Sequence, residues 1–229
     1  MPVKPGTKTA GRIGQSTGPE ESRNPGKYST ASVKSKFFFG NNEIDIFGSV
    51  YGPREDSLLL AGCIKDSAVA GRSCLDVGCG SGIQSINLAL KGASGIVAID
   101  INEKAVANTS HNAKKLGFGK TITALQSDLF VNVHGKFDII VFNPPYLESE
   151  SLEERELDGG RKGREVLDRF LNDAGGHLTE HGKIYFLQSS LNGISETKAR
   201  LKKLGLDAEI VAKNRIFFEE LIVFEAVRQ

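Results

Sequence analysis

Apolar positions fall into two alternating kinds of run along this chain. Short runs rich in β-branched and aromatic residues occupy 73–77, 95–100, 121–126, 137–142 and 182–188. They read as buried strands, because a strand covered on both faces loses the polar alternation of a half-exposed one. Between them lie segments of helical period. One carries Ile83, Ile86, Leu88, Ala89 and Leu90, another is the polar, alanine-containing 103–116, and two more cover 165–174 and the basic 194–204. Two strands, 207–212 and 217–227, follow with no helix between them. Ahead of this alternation, Phe37–Phe47 reads as a hairpin with Gly40-Asn41-Asn42 as its turn. Pro53, followed by Glu55 and Asp56, marks a helix N-terminus, where free backbone N–H groups favour acids. The pattern predicts an α/β domain over 37–229 built on a Rossmann-like sheet of seven strands.

Composition changes the picture at one end only. Of the 229 residues, the first 36 are Gly, Pro, Ser, Thr and Lys with almost no apolar content, so this segment is expected to be a disordered basic tail. It carries Lys4, Lys8, Arg12, Arg23, Lys27, Lys34 and Lys36 against Glu20 and Glu21. That net of about +5 leaves about −4 on the rest, which argues against a body that grips nucleic acid by its phosphates. Cys63, Cys74 and Cys79 sit in apolar or glycine-rich surroundings, with no secretory signal and no run of 18 apolar residues. They read as reduced thiols in a cytoplasmic protein. Neither they nor the four histidines show zinc-ligand spacing, so no metal site is expected.

The candidate chemistry lies at strand ends. Phe137–Phe142 stops at Asn143-Pro144-Pro145-Tyr146. An amide, a carbonyl and a ring thus meet at the carboxyl end of a central strand, where open α/β sheets bind ligands. Two acceptors and a flat face suit a planar –NH2 group, either a carboxamide or an exocyclic base amine. A second stretch, Asp76-Val77-Gly78-Cys79-Gly80-Ser81-Gly82, is a strand running through a glycine loop into a helix. A second strand ends in Asp100 about 20 residues further on, a position suited to accepting from ribose hydroxyls. The loop is GxGxG rather than the GxGxxG of pyrophosphate binders, and Asp76 stands directly before it. That favours a cationic, phosphate-free nucleoside such as S-adenosylmethionine over NAD. Past the third strand, Asp128 is placed to accept from a base amine while Leu129 packs on the ring.

Taken together, these residues resemble the class I S-adenosylmethionine-dependent methyltransferases, whose amino-directed members carry an Asn/Asp-Pro-Pro-Tyr motif. The stretch Tyr51-Gly52-Pro53-Arg54-Glu55-Asp56-Ser57 and the segment Gly159-Gly160-Arg161-Lys162-Gly163 narrow the resemblance to HemK-like release-factor glutamine N5-methyltransferases. The match covers roughly residues 50 to 226 and is similar to the short eukaryotic and archaeal branch, which lacks an N-terminal helical domain. It implies a mostly parallel sheet whose last strand is antiparallel. It also implies methyl-donor contacts at Ser57, Asp76, Gly78, Gly80, Asp100, Asp128 and Leu129, with Asn143 meeting both donor and substrate. Asn143 and Tyr146 become the catalytic residues, and Asn143, Pro144, Pro145 and Tyr146 the substrate-binding ones. The implied substrate is the Gly-Gly-Gln loop of a translation release factor, although the stretch from Tyr146 to Gly159 is strongly acidic. An adenine N6-methyltransferase acting on RNA or DNA would use the same motif, but the acidic body and the lack of a nucleic-acid module weigh against it. A non-catalytic partner keeping the fold is opposed by the intact Asp76, Asp100 and Asn143. Lastly, the strand Thr121–Gln126 is expected at a sheet edge, without charge or proline to blunt it. The resemblance points to a small zinc-binding activator subunit adding a strand there.

Overall fold

A computed structural model describes residues 32–146, 164–216 and 218–229. The tail up to residue 31, the acidic stretch after Tyr146, the segment Gly159–Gly163 and Phe217 lie outside the described residues. Seven strands form one sheet: β3 (Ser73–Val77), β4 (Gly95–Asp100), β5 (Ile122–Gln126), β6 (Phe137–Phe142), β7 (Leu178–Ser189), β8 (Leu206–Ile216) and β9 (Glu219–Arg228). Their order is β5-β4-β3-β6-β7-β9-β8. β5, β4, β3, β6 and β7 pair in parallel, and β9 runs antiparallel to both of its neighbours. The expected architecture, with an antiparallel final strand and an edge strand ending at Gln126, is therefore present.

Alternation along the strands sorts side chains onto two faces. On β3, Cys74 packs into one core cluster while Leu75 and Val77 pack into the other. On β6, Ile139 and Val141 face the first, and Ile140 and Phe142 the second. The first face is covered by α1 (Glu55–Cys63), the single turn α2 (Asp66–Val69), α3 (Ile83–Leu90) and α4 (Glu103–Lys115). The second is covered by α5 (Glu165–Ala174) and α6 (Ile194–Lys203), where the rings of Phe142, Phe170, Phe186 and Phe224 pack one against the next.

Several boundaries differ from expectation, each for a pairing reason. β8 runs on through Lys213-Asn214-Arg215, which are polar and exposed, because β9 pairs with it as far as Ile216↔Glu219. Backbone pairing with a partner overrides local polarity there. The hairpin strand β1 (Val33–Phe39) begins within the segment read as tail, and Asn42 already belongs to β2 (Asn42–Phe47), leaving Gly40-Asn41 as a two-residue turn. Gly40 takes φ +57°, as such turns require.

The polar helix α4 has its explanation here. Asn108 and Asn112 pair with β2 as a strand would: Asp45 N donates to Asn112 Oδ1 (2.9 Å), Phe47 N to Asn108 Oδ1 (2.8 Å), and both Nδ2 atoms to Asp45 O. All the groups involved are buried. From the same helix Thr109 Oγ1 donates to Gly80 O (3.1 Å) and Asn112 Nδ2 to Ser81 O (2.9 Å). One helix thus fastens the hairpin and the glycine loop together.

Candidate active site

Chain direction over the sheet reverses at β3: β4 and β5 lie to one side of it, β6 and β7 to the other. A crevice opens at the carboxyl ends of strands at such a switch point. Here it is a cleft of about 450 Å³, the size of a small-molecule site. β3 delivers Gly78 and Gly80, β4 delivers Asp100, the turn after β5 delivers Asp128 and Leu129, and β6 delivers Asn143 to Tyr146. α1 closes the side with Asp56 and Ser57, and α5 adds Val166 and Arg169. The glycines permit the floor: Gly78 has φ +64°, and a Cβ there would meet the Phe142 ring at 3.3 Å. Asp100 holds the loop in place, accepting from Gly80 N (3.0 Å) and Asn102 N (2.9 Å). Burial raises its carboxyl above the ordinary range, opposed by these bonds.

The reacting end is built on Asp56, which is only 2 % exposed. Its Oδ1 accepts from Ser57 N (2.6 Å) and Ser57 Oγ (3.2 Å). Its Oδ2 accepts from Tyr51 OH (3.2 Å), Tyr146 OH (3.5 Å) and Asn143 Nδ2 (3.0 Å). Burial, reinforced by the Asp56 charge, pushes both phenols well above their usual range, so both remain donors. A carboxylate only accepts, so the nitrogen of Asn143 must face it and the oxygen must face away. That oxygen, Asn143 Oδ1, is buried and has no partner among the described residues. Asp56 read in the sequence as a first-turn acid beside a helix start; its part in orienting Asn143 carried no separate signal.

The other expected site residues divide. Ser57, Gly78, Gly80, Asp100, Asp128, Leu129, Asn143, Pro144, Pro145 and Tyr146 all line the cleft. Asp76 does not. The strand alternation turns it onto the face of α3, where Oδ2 accepts from Ser85 N (2.9 Å) and Ser85 Oγ (2.6 Å), 2 % exposed. It anchors the helix behind the loop instead of reaching the cleft. Asp128 is shared with α5, accepting from Arg169 Nη2 at 2.7 Å. Leu129 takes φ +47°, held by Ser127 Oγ donating to its carbonyl (2.7 Å). Gln84, absent from the sequence expectations, also lines the cleft, with its Oε1 buried and without a partner among the described residues.

This donor set fits S-adenosylmethionine. Among the described lining residues the only basic side chain is Arg169, and it is paired with Asp128, so no free basic side chain among them awaits a pyrophosphate. Asp100 and Asp128 line the cleft, as do Asn143 and Gln84, whose side-chain oxygens have no partner among the described residues. Fold and site together define a class I S-adenosylmethionine-dependent methyltransferase.

Comparison with known proteins agrees. Residues 49–218 match the family model described as Methyltransferase small domain. A Methanocaldococcus jannaschii protein named as a protein N5-glutamine methyltransferase is 43% identical over 192 residues, covering 81% of this chain and 95% of its own length. Human methyltransferase HEMK2 is 33% identical over 201 residues, covering 82% of this chain and 94% of its own. Among solved structures, the E. cuniculi Mtq2–Trm112 complex, described as responsible for methylating the eRF1 translation termination factor, matches with TM-score 0.62 and 26% identity, covering 79% of this chain and 99% of that one. The chain belongs to the HemK-like protein N5-glutamine methyltransferases of this small-domain family.

Burial pushes the Asp76 carboxyl up to about 7, against the two bonds from Ser85. Unfolded, it titrates near 3.9. Between about pH 4 and pH 7 the folded chain then keeps a proton that the unfolded chain has released, so raising the pH through that window disfavours folding. Asp76→Asn removes this titration. The stability cost of the substitution, from denaturant melts, should shrink as pH rises from about 4 to about 7. A cost that stays flat across the window would show that Asp76 is ionised in the fold.

Proposed function

We propose that this protein transfers the methyl of S-adenosylmethionine to the side-chain amide nitrogen of a glutamine in a translation release factor, at its Gly-Gly-Gln loop. The observation that carries the reading is the orphaned Oδ1 of Asn143, turned away from Asp56 by the bond from its own Nδ2. When bound, S-adenosylmethionine supplies an electrophilic methyl. Ser57, Gly78, Gly80, Asp100, Asp128 and Leu129 would hold it. The remaining difficulty is the nucleophile, because an amide lone pair is delocalised into its carbonyl. Asn143 Oδ1 and the Pro144 carbonyl accept the two amide hydrogens, and the Tyr146 ring stacks on the amide plane. Acceptors fixed in advance favour the positive charge that develops on nitrogen, and the surplus proton leaves to water. Positioning of this kind is worth roughly 7–11 kcal/mol in favourable cases, enough to carry most of the rate. The relatives' names support glutamine over adenine, and a release-factor substrate supports action in the cytoplasm.

Incubation with labelled methyl donor and release factor, tRNA or rRNA tests the substrate: label should enter the release factor alone, at glutamine. Label in RNA would overturn the assignment. In the same assay Asn143→Ala should slow turnover by roughly 10²–10³-fold, the scale for losing one preorganised polar group, with much less loss of donor affinity. Near-normal turnover would reduce Asn143 to a strand terminator.

The activator subunit belongs to the same reading. β5 lies at the sheet edge, Thr123 is exposed, and Ile101 (66 % exposed) and Val131 (73 %) flank the ends of β4 and β5. An unblunted edge beside exposed apolar side chains is a template for strand addition, and Mtq2 is solved in complex with Trm112. A small zinc-binding protein pairing along β5 would cover both. Thr123→Pro should abolish co-purification with such a subunit while leaving the folded sheet intact. Retained co-purification would move the docking site elsewhere.

A further inference from the structure

Asn143-Pro144-Pro145-Tyr146 leaves the sheet at Phe142, where the pairing of β6 with β3 and β7 ends. Two of its four residues are prolines, which carry no backbone N–H to tie the motif down. Its far end is held from the turn Ser190–Asn192 that follows β7. Asn192 is 3 % exposed, and its orientation is determined. Ser189 N–H can only donate, so the atom it meets at 3.0 Å is Asn192 Oδ1. Nδ2 is thereby turned to the Tyr146 carbonyl, to which it donates at 3.1 Å.

The backbone carbonyl of the same asparagine accepts from Arg164 Nη1. Arg164 is buried too, and its guanidinium also donates to Gly193 O, Thr197 Oγ1 and Asp168 Oδ1. Thr197 Oγ1 donates in turn to Gln188 Oε1 on β7 (2.7 Å). β7, α5 and α6 therefore meet at Asn192, and a turn bonded on every side cannot shift without breaking buried hydrogen bonds. At the other end of the same tyrosine, the phenol donates to Asp56 Oδ2 on α1. The ring is thus held at its tip by Asp56 and at its root by Asn192. Flat stacking on a planar amino group needs the ring at one angle, and a small misplacement at a reacting centre is costly in rate. Asn192 is not among the residues lining the cleft, so it can reach the reaction only through its neighbour. We infer that Asn192 is a positioning residue for methyl transfer, holding the Tyr146 ring at the angle at which it stacks on the acceptor group.

The inference rests on the methyl-transfer reading, and the test separates the two by using whichever of release factor, tRNA or rRNA the wild-type protein labels. Label in RNA overturns the glutamine substrate and leaves the role of Asn192 measurable. Asn192→Asp keeps the shape and the acceptor for Ser189 N, but sets an oxygen against the Tyr146 carbonyl. Its melting temperature and its affinity for S-adenosylhomocysteine, from calorimetry, should stay near wild type. The single-turnover rate at saturating acceptor should fall by about tenfold, the upper scale of one net hydrogen bond. In a Tyr146→Ala background the same substitution should cost no more than about twofold, because residues acting as one unit do not add. Asn192→Ala run through the same cycle gives a second measurement should the aspartate variant fold poorly. Losses that multiply in full with Tyr146→Ala overturn the assignment. So does a rate loss that only tracks lost melting temperature and donor affinity, which would mean that Asn192 merely caps its turn. Wild type that labels none of the three acceptors overturns the methyl-transfer reading and this inference with it.

Discussion

The site depends on one buried carboxylate and on what it leaves free. Asp56 sits at the first turn of α1, accepts from two tyrosines, a serine and Asn143, and has no lone pair to spare for a substrate. An amide side chain can normally present either end to a ligand. Fixing its nitrogen against a carboxylate removes that freedom before substrate arrives. The cost is an unpaired oxygen in a buried position, on the order of 1–3 kcal/mol, held in place by the surrounding fold. Such a cost is recovered when a hydrogen-bond donor enters, and a primary carboxamide supplies one.

The rest of the architecture keeps that arrangement rigid. Asn143 leaves the end of β6, fixed by pairing with β3 and β7 on either side. Asp56 leaves α1, which packs on the same face of the sheet. The floor between them is held three times over: by Asp100 on Gly80 N, by Thr109 on Gly80 O and by Asn112 on Ser81 O. Because Asn112 also pairs with β2, the hairpin and the loop are one mechanical unit. On the far side, Arg164 bridges α5 to the turn before α6 through Gly193 O and to α6 itself through Thr197 Oγ1, and Asn192 Nδ2 from that turn donates to Tyr146 O (3.1 Å). The proline-bounded motif is therefore gripped from both sides of the sheet.

Much of this was legible in the sequence, for identifiable reasons. Strand ends announce themselves because β-branched runs stop at Gly, Asp or Pro, which makes Gly78, Asp100 and Asn143 legible in the sequence. What escaped has a physical explanation too. Asp56 looks like any helix-dipole acid, since its partners Tyr146 and Asn143 lie about 90 residues away. Gln84 is a polar residue in an apolar helix, with a partner 27 residues off. The polarity of α4 comes from Asn108 and Asn112 meeting β2 more than 60 residues upstream. Asp76 departs from expectation because the alternation Cys74, Leu75, Asp76, Val77 turns it to the α3 face, where Ser85 holds its Oδ2.

The central claim is that Asp56 acts through Asn143. A double-mutant cycle on the single-turnover rate of methyl transfer measures this directly. If the claim holds, Asp56→Ala slows transfer by about tenfold or more when Asn143 is present and by no more than about threefold when Asn143 is already alanine, because residues acting as one unit do not add. If the two losses multiply in full, Asp56 and Asn143 work independently, and the orientation account is contradicted.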